Sequence, residues 1–246
     1  MILGIMQPYF FPYLGYYQLI SKSDMWIVFD VVQYNSKSWM TRNRILHPSG
    51  GWQYINVPVR KSPHGSPIRE ISVVNLSDTL ARITGQVNHY KKHAPYFTRV
   101  IELINKVFNE TATNRLVDLN ISTLSVICEY LKIQFDFSFC SDLNLDLSSI
   151  EDAGDWALSI SNQLGATDYI NPSGGEKLFK PDDWLRCGIN LHIYDPPVFE
   201  YICTPYDYVS NLSIIDVLMW NDPVEIKKVF VESHPKHTYM SRDMRG

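Results

Sequence analysis

The chain has 246 residues, of which 45% are hydrophobic and 20% are charged. This composition excludes wholesale disorder, and the length excludes a multi-module machine. The 22 Lys and Arg residues against 26 Asp and Glu residues give a formal net charge of −4, so we expect no binding to DNA.

The first thirty residues predict the opening of a parallel α/β sheet. Residues 2–6 and 25–29 are short apolar runs typical of buried strands, and residues 13–20 between them can form a short helix. A strand, a helix and a second strand in so short a segment form a βαβ unit, whose two strands are parallel.

A polar and aromatic stretch follows, in which residues 52–60 and 68–74 alternate like strands. From Asp78 onward, apolar side chains recur at helical spacing, and residues 100–108 and 116–131 continue the pattern. We therefore expect a helical insertion at about residues 78–131 within a single α/β domain that spans residues 1–246.

The second half of the chain again alternates between strands and helices. Residues 133–140, 167–171 and 190–194 predict strands. Ser148 and Glu151 form a capping box, which predicts a helix that ends at Gly165. Two helices then close the chain, and we expect its last dozen residues to be loose. The predicted fold class is a three-layer α/β core with a mainly parallel sheet.

Two further features bear on location. Residues 1–20 are apolar but contain Gln7, Pro8 and Pro12 and lack a basic start, so we expect neither a signal peptide nor membrane insertion. The four cysteines form no CxxC or Cys/His cluster, so neither a metal site nor a disulfide framework is predicted. A reducing cytoplasm is the simplest location.

The first candidate ligand-binding segment follows the first strand. In open α/β sheets, ligands bind at the carboxyl ends of the strands. Gln7 is expected there, with an amide that both donates and accepts, at the start of an aromatic run that contains Tyr9 and Tyr16. An aromatic packing cluster is the structural alternative.

The second candidate segment follows the second strand, which ends at Asp30. Arg42 and Arg44 flank Asn43, and in a strand their guanidinium groups share one face, which suits a phosphate or carboxylate. A local ion pair between Asp30 and one of the arginines is equally consistent with the sequence.

Two weaker candidates remain. His89 and His93 have the four-residue spacing of helical metal ligands, but no glutamate lies between them, and a cationic helix end is the commoner reason for such a pattern. The turn from Ser173 to Lys177 can present backbone N–H groups to an anion, although it matches neither a Walker A nor a GxGxxG motif.

Five segments occur together in a recognisable order: GIMQPYFFPYLGYYQLI from Gly4, IVFDVVQYNSKSWMTRNRI from Ile27, YKKHAPYF, YINPSGGEKLF and LSIIDVLMWND. In these segments, which span nearly the whole chain, the sequence resembles the WbqC-like family. The resemblance implies a bacterial protein of surface-polysaccharide biosynthesis, including the O-antigen of lipopolysaccharide. It further implies a glycyl-, aminoacyl- or other N-acyltransferase that acts on a nucleotide-linked deoxyamino sugar with an activated acyl donor.

A more distant resemblance concerns the fold. The segment from Phe10 to Tyr16 is similar to a shortened F-x-P-x-H-x-G-H signature of nucleotidyltransferase-type folds, with Leu14 and Tyr16 near the places of the two histidines. This implies a degenerate nucleotidyltransferase-like fold that has lost the adenylating chemistry, so the use of ATP is doubtful and the cofactor is left open.

These implications assign roles to the candidate residues. Asp30 or His89 is the expected base that deprotonates the sugar amine, and Gln7 or Asn43 is the expected oxyanion donor. The predicted substrate-binding residues are Gln7, Tyr9, Tyr16, Gln33, Trp39, Arg42, Asn43, Arg44, Ser173, Gly174, Gly175 and Lys177. A non-catalytic nucleotide- or sugar-binding protein of the same pathway is the alternative function, and a homodimer is left open.

Overall fold

A computed structural model describes residues 1–240 of the chain. Its strands are β1 (Ile2–Met6), β2 (Met25–Val28), β3 (Arg42–Leu46), β4 (Trp52–Asn56), β5 (Phe137–Phe139), β6 (Asp168–Pro172), β7 (Asn190–Tyr194) and β8 (His237–Tyr239). Its α-helices are α1 (Leu14–Ile20), α2 (Leu76–Val87), α3 (Phe97–Glu110), α4 (Leu116–Leu131), α5 (Asp155–Gln163), α6 (Pro181–Arg186), α7 (Ile214–Trp220) and α8 (Pro223–Glu232). Short 3₁₀ helices cover Ile68–Glu70, Asn88–Lys92, Cys140–Asp142 and Ser173–Leu178.

The central sheet has six strands in the order β5-β2-β1-β6-β7-β8. All neighbours in it are parallel except β8, which runs antiparallel to β7. The parallel pairing of β1 with β2 confirms the βαβ unit predicted from the first thirty residues. Strands β3 and β4 form a separate antiparallel hairpin. The fold is therefore mixed α/β with a mostly parallel central sheet.

The sheet separates two hydrophobic clusters because side chains alternate between its faces. Leu3 and Ile5 of β1 join the smaller cluster with residues of α5 and α6, whereas the larger cluster contains residues of α1, α2, α3, α4, α7 and α8. At Gly4 an added Cβ would come within 2.5 Å of the Trp26 ring. A side chain is therefore excluded where β1 and β2 pack together.

Two predicted elements in the middle of the chain differ from the structure. Residues 68–74 are not a strand: Ile68–Glu70 form a 3₁₀ helix, and Val73 makes only an isolated bridge to Val59. The apolar side chains there are buried by tertiary packing, so their alternation does not reflect a sheet. Ser148 does not cap a helix, because its hydroxyl donates to Asp146. Helix α5 begins later, and the Asp155 carboxylate accepts from the backbone N–H of Asp152.

The carboxyl-terminal region also differs from expectation. His237–Tyr239 form β8 and pair with β7, so the prediction of a loose end is wrong for these residues; residues 241–246 lie outside the described residues. The predicted strand over 133–140 is shortened to β5. No helix within residues 1–240 is long and apolar enough to cross a membrane.

Candidate functional site

The carboxyl ends of the parallel strands bring three of the candidate segments to one edge of the sheet. Gln7 follows β1, Asp30 follows β2 and Ser173 follows β6. Strand β1 lies between β2 and β6 in the sheet. The next strands of this sheet in chain order, β2 and β5, lie on one side of β1, and the later strands β6 and β7 lie on its other side. In open α/β sheets this reversal of strand order creates a crevice that binds ligands.

Asp30 is satisfied by the protein itself. Its side chain is 1% exposed. One carboxylate oxygen accepts from the Ser141 backbone N–H at 3.0 Å and the other accepts from the Ser141 hydroxyl at 2.6 Å. Neither the ion pair with an arginine nor a role as exposed base is seen. Asp30 instead joins the end of β2 to the 3₁₀ turn that follows β5.

The β3–β4 hairpin carries a face of alternating cationic and aromatic side chains. Arg44 pairs directly with Tyr54 in the register, so their side chains share one face with Arg42. The Arg42 guanidinium lies 4.7 Å from the centre of the Tyr54 ring. The Arg44 guanidinium lies 5.5 Å from the Trp39 ring and 5.2 Å from the Trp52 ring. We call these five side chains the arginine–aromatic face.

The two guanidinium groups on this face have no acidic partner. Neither takes part in an ion pair within residues 1–240. Arg42 donates to the Lys37 carbonyl at 2.8 Å and Arg44 donates to the Asn211 carbonyl at 3.1 Å. The Nε atoms of both arginines are buried without a hydrogen-bond partner among the described residues. A guanidinium group that donates to backbone carbonyls and meets no carboxylate among the described residues keeps its full positive charge, which suits an anionic ligand.

A pocket of about 240 Å³ opens beside Arg44, and we call it the arginine pocket. Its walls come from the segment after β1, from the hairpin and its preceding loop, and from the loop after β7. The lining residues are Tyr9, Tyr13, Trp39, Asn43, Arg44, Pro196 and Asn211. Of the predicted site residues, the structure brings Tyr9, Trp39, Asn43 and Arg44 together here.

The phenols of the arginine pocket are hydrogen-bond donors at neutral pH. Burial raises the pKa of Tyr9. The pKa of Tyr13 is raised to about 12, mainly by burial and to a smaller extent by the nearby Tyr9. Both hydroxyls therefore stay protonated and can donate to the oxygens of an anion.

Asn43 holds the segment after β1 against the hairpin. Its side-chain amide donates to the carbonyl oxygens of Phe10, at 3.1 Å, and Phe11, at 2.8 Å. Its own oxygen accepts from the Arg44 backbone N–H at 2.8 Å. Phe11 has a positive φ of 39°, a backbone conformation that needs such support. Both donors of the Asn43 amide are thereby used by the backbone that follows Tyr9, which leaves none for an oxyanion.

A buried carboxylate, Asp216, fixes the loop after β7. Its side chain is 0% exposed and accepts from the hydroxyls of Tyr90 and Tyr201, the latter at 2.8 Å, and from the Leu46 backbone N–H at 3.0 Å. Burial raises the pKa of Asp216, although these three hydrogen bonds act in the opposite direction. Sequence reasoning missed this residue. A single carboxylate within the apolar run of α7 was the available signal.

A second pocket of about 240 Å³ adjoins the arginine pocket, and we call it the loop pocket. The two pockets share Pro196 and Asn211 as walls. The loop pocket is otherwise lined by α1, by α7 and by the loop between β7 and α7: Leu14, Pro197, Val198, Phe199, Glu200, Tyr201, Tyr208, Val209, Ser210, Leu212 and Val217. None of these residues was predicted from the sequence.

Tyr16 and Gln33 lie outside both pockets. Tyr16 is fully buried, and its hydroxyl donates to the Gln7 backbone carbonyl at 2.7 Å, so it packs the core instead of lining a site. The Gln33 amide lies 3.4 Å from the His64 ring. The aromatic-cluster alternative therefore describes Tyr16, whereas Tyr9 lines the arginine pocket.

His89 is also separated from the arginine pocket. One ring nitrogen lies 3.0 Å from the Tyr206 hydroxyl, and the ring lies 4.1 Å from the Tyr90 ring. Burial lowers the pKa of His89, with a smaller opposing effect from the Leu46 backbone. His89 is consequently neutral at pH 7, but it does not line either pocket.

The turn from Ser173 to Lys177 forms a 3₁₀ helix that packs toward β8. Glu176 within it lies 3.6 Å from the Lys236 amine and 3.7 Å from the His237 ring. Gly175 is required by close packing, because an added Cβ would lie 2.4 Å from the Asn171 amide. Ser173, Gly174, Gly175 and Lys177 thus lie at the same sheet edge as Gln7 but line neither pocket.

Comparison with known proteins supplies a wider context. The model of the WbqC-like protein family matches residues 7–228. Uncharacterized protein Rv1507c of Mycobacterium tuberculosis is 29% identical to the chain over 169 residues, which make up 68% of this chain and 71% of that protein. No solved structure matches the chain. The span matched by the family model, residues 7–228, includes every lining residue of the two pockets.

Proposed function

Because the chain belongs to the WbqC-like protein family, we propose that it is an N-acyltransferase of bacterial surface-polysaccharide (O-antigen) biosynthesis. In this proposal it forms an amide bond on the amino group of a nucleotide-linked deoxyamino sugar. The observation that supports this substrate most directly is the pair of guanidinium groups, Arg42 and Arg44, that stack on aromatic rings and have no acidic partner in the described part of the chain.

The arginine–aromatic face suits both parts of a nucleotide. A diphosphate accepts hydrogen bonds from guanidinium groups, and the Tyr9 and Tyr13 hydroxyls add neutral donors. Trp39 and Trp52 are 37% and 43% exposed, which is high for tryptophan, and a nucleobase or sugar ring can stack on them. Large exposed aromatic side chains beside unpaired cations are typical of binding sites.

The proposed reaction requires a neutral amine and an activated carbonyl group. The sugar ammonium releases one proton to solvent, and the neutral nitrogen then forms a C–N bond to the acyl carbon. The bond to the leaving group breaks with its electron pair, and the second proton of the nitrogen ends on the leaving group. Asp30 is saturated by Ser141 and His89 packs on Tyr206, so neither is assigned as the base. The proposal assigns the described residues to substrate binding and orientation, which themselves accelerate a bimolecular step.

A degenerate nucleotidyltransferase-like fold is part of the proposal. In its favour, α1 directly follows β1 in a mostly parallel sheet. Tyr16, near the place of the second signature histidine, is buried and bound to the Gln7 carbonyl. A side chain in this position does not reach a bound nucleotide, so we propose that the acyl donor arrives already activated and that ATP is not used.

Two measurements test the proposed function. Calorimetry on the purified protein should detect binding of a dTDP-linked 4-amino-4,6-dideoxyhexose, and mass spectrometry should detect its amide when an acyl thioester or a charged tRNA is added. Arg44→Ala should lower the rate of amide formation at limiting ligand by about tenfold or more, whereas Arg60→Ala, which removes an exposed arginine outside both pockets, should leave the rate unchanged. Absence of product with every donor would overturn the transferase proposal.

A non-catalytic nucleotide- or sugar-binding protein of the same pathway is the second candidate. The observation that favours it is that both candidate bases, Asp30 and His89, lie outside the arginine pocket. This function predicts that the same calorimetry detects binding while no donor gives an amide. Release of pyrophosphate from ATP would contradict both candidates and indicate an adenylating enzyme.

A further inference from the structure

The arginine pocket and the loop pocket carry opposite charges. Within residues 1–240, Arg44 is the single permanently charged residue that lines the first, and Glu200 is the single carboxylate that lines the second. Neither side chain takes part in an ion pair within residues 1–240. A ligand that occupies both pockets therefore meets a cation at one end and an anion at the other.

Hydrogen bonds of the loop between β7 and α7 position both Arg44 and Glu200. The Asn211 carbonyl, at the wall that the pockets share, accepts from the Arg44 guanidinium at 3.1 Å. On the other side of the loop pocket, the Tyr208 hydroxyl donates to the Phe199 carbonyl at 3.1 Å, and Tyr201 is bound to the buried Asp216. Burial, and then the neighbouring Glu200 carboxylate, raises the pKa of Tyr208, so its phenol stays protonated. These contacts fix the backbone on both sides of Glu200.

Proline and phenylalanine rings form the walls between Arg44 and Glu200. Pro196 is common to both pockets, and Pro197 and Phe199 continue into the loop pocket. Such walls suit the apolar face of a sugar ring and make few polar contacts with it. Among the lining residues of the loop pocket within residues 1–240, Glu200 supplies the charge that can distinguish an amino sugar from a neutral one.

We infer that the loop pocket takes the amine-bearing sugar of the ligand and that Glu200 selects the ligand by pairing with its ammonium group. This inference rests on the proposed function, because the diphosphate of the same ligand is placed on Arg44. A neutral hexose lacks the partner for Glu200, and a sugar carboxylate is repelled by it. Glu200 is thus a specificity-determining residue and is not assigned a proton-transfer step.

The test compares two ligands on three proteins by calorimetry near pH 7. One ligand is a dTDP-linked 4-amino-4,6-dideoxyhexose, and the other is the dTDP-linked 6-deoxyhexose with a hydroxyl group in place of the amine. The proteins are the wild type, Glu200→Gln and Asp207→Asn. Asp207 is an exposed carboxylate in the same loop that lines neither pocket, so its substitution gives the matched change of charge.

We expect the wild type to prefer the amine over the hydroxyl ligand by about fivefold, since a partly exposed ion pair contributes up to about 1 kcal/mol. Glu200→Gln should remove this preference and leave the affinity for the hydroxyl ligand unchanged, and Asp207→Asn should keep it. A wild type that binds both ligands equally overturns the inference and leaves nucleotide binding intact. Equal weakening of both ligands by Glu200→Gln also overturns it, because Glu200 would then support the loop only. Failure of the wild type to bind either ligand contradicts the proposed function itself.

Discussion

Two polar regions at the same edge of the sheet differ in how their hydrogen-bonding groups are used. Beyond β2, Asp30 is almost completely buried and both of its oxygens are occupied by Ser141. On the β3–β4 hairpin, Arg42 and Arg44 keep spare donors and have no acidic partner within residues 1–240. The first region stabilises the fold, whereas the second has its charge free for a ligand.

This difference shows that a charged residue at the carboxyl end of a strand is not sufficient evidence for a catalytic role. Asp30 and Arg44 have equally suggestive positions in the sequence. They differ in burial and in whether the protein satisfies the charged group: Asp30 is buried with both oxygens occupied, whereas Arg44 is half-buried and its guanidinium donates, among the described residues, only to the Asn211 carbonyl. Substitutions in the two regions should therefore affect different quantities.

The largest effect is expected from Asp30→Ala, which removes a buried carboxylate and its two hydrogen bonds from Ser141. The free energy of unfolding should fall by roughly 2–3 kcal/mol, because hydrogen bonds to a charged group contribute about 1.5–3 kcal/mol. Urea denaturation measures it. Asp30→Asn keeps one carbonyl oxygen and should lose less. If Asp30→Ala unfolds at the same urea concentration as the wild type and loses only ligand binding, Asp30 belongs to the ligand-binding site and the structural role is contradicted.

Arg44→Ala should show the reverse pattern. Its affinity for dTDP should fall by about tenfold or more, because a charge-assisted hydrogen bond to phosphate contributes about 1.5–3 kcal/mol. Its unfolding free energy should fall by only about 1 kcal/mol, the net contribution of one hydrogen bond, here the one to the Asn211 carbonyl. Calorimetry and urea denaturation of one preparation give both values. A large loss of stability would mean that Arg44 mainly supports the stacked tryptophans.

Trp39→Ala tests the aromatic part of the arginine–aromatic face. Removal of a stacking surface should weaken dTDP binding by about fivefold to tenfold, since stacking of a base on an aromatic ring contributes about 1–3 kcal/mol. Trp39→Phe should recover most of the affinity, and ribose 5-phosphate, which lacks a base, should bind equally to all three proteins. A loss that is identical for both ligands would assign Trp39 to orienting Arg44.

The smallest effect concerns Asp168, at the opposite edge of the sheet. Burial acts to raise the pKa of Asp168, but hydrogen bonds from His192, Asn190 and Thr167 outweigh it, so the pKa lies below 3.8. The folded state therefore gains stability above the ordinary pKa and loses it as the pH falls below 3.8 toward the lowered value. This gain should be under about 1 kcal/mol because the pair with His192 is partly exposed. Urea denaturation of wild type and Asp168→Asn between pH 2 and pH 6, about the ordinary range of carboxyl titration, should show the difference shrinking at low pH.

Much of the fold could be predicted from local pattern. Strands β1 and β7 and helix α4 have the predicted bounds, because a short apolar run or a helical period carries its own signal. The pattern at residues 68–74 was misleading, since tertiary packing buries Ile68, Ile71 and Val73 although the segment is not a strand. Strand β8 consists of exposed and half-exposed residues and carries no such period.

The candidate site was predictable in part. The i, i+2 spacing of Arg42 and Arg44 gives a shared face in any strand, and the hairpin has that face. The partner of Asp30 lies 111 residues away at Ser141, and the second wall of the arginine pocket comes from Pro196 and Asn211. No local pattern reports such contacts, because they depend on which loops the strand order brings together.

The amino-acid sequence by itself determined the periodic elements, the parallel start of the sheet and the chemical character of the hairpin, since each depends on residues close together in the chain. Only the tertiary structure decided which polar groups remain available. Asp30 and Asn43 are enclosed by partners from distant segments, whereas Arg44 and Glu200 are left facing two adjoining pockets. The physical reason is that a buried polar group must find a partner, and the availability of that partner is a property of packing and not of the local sequence.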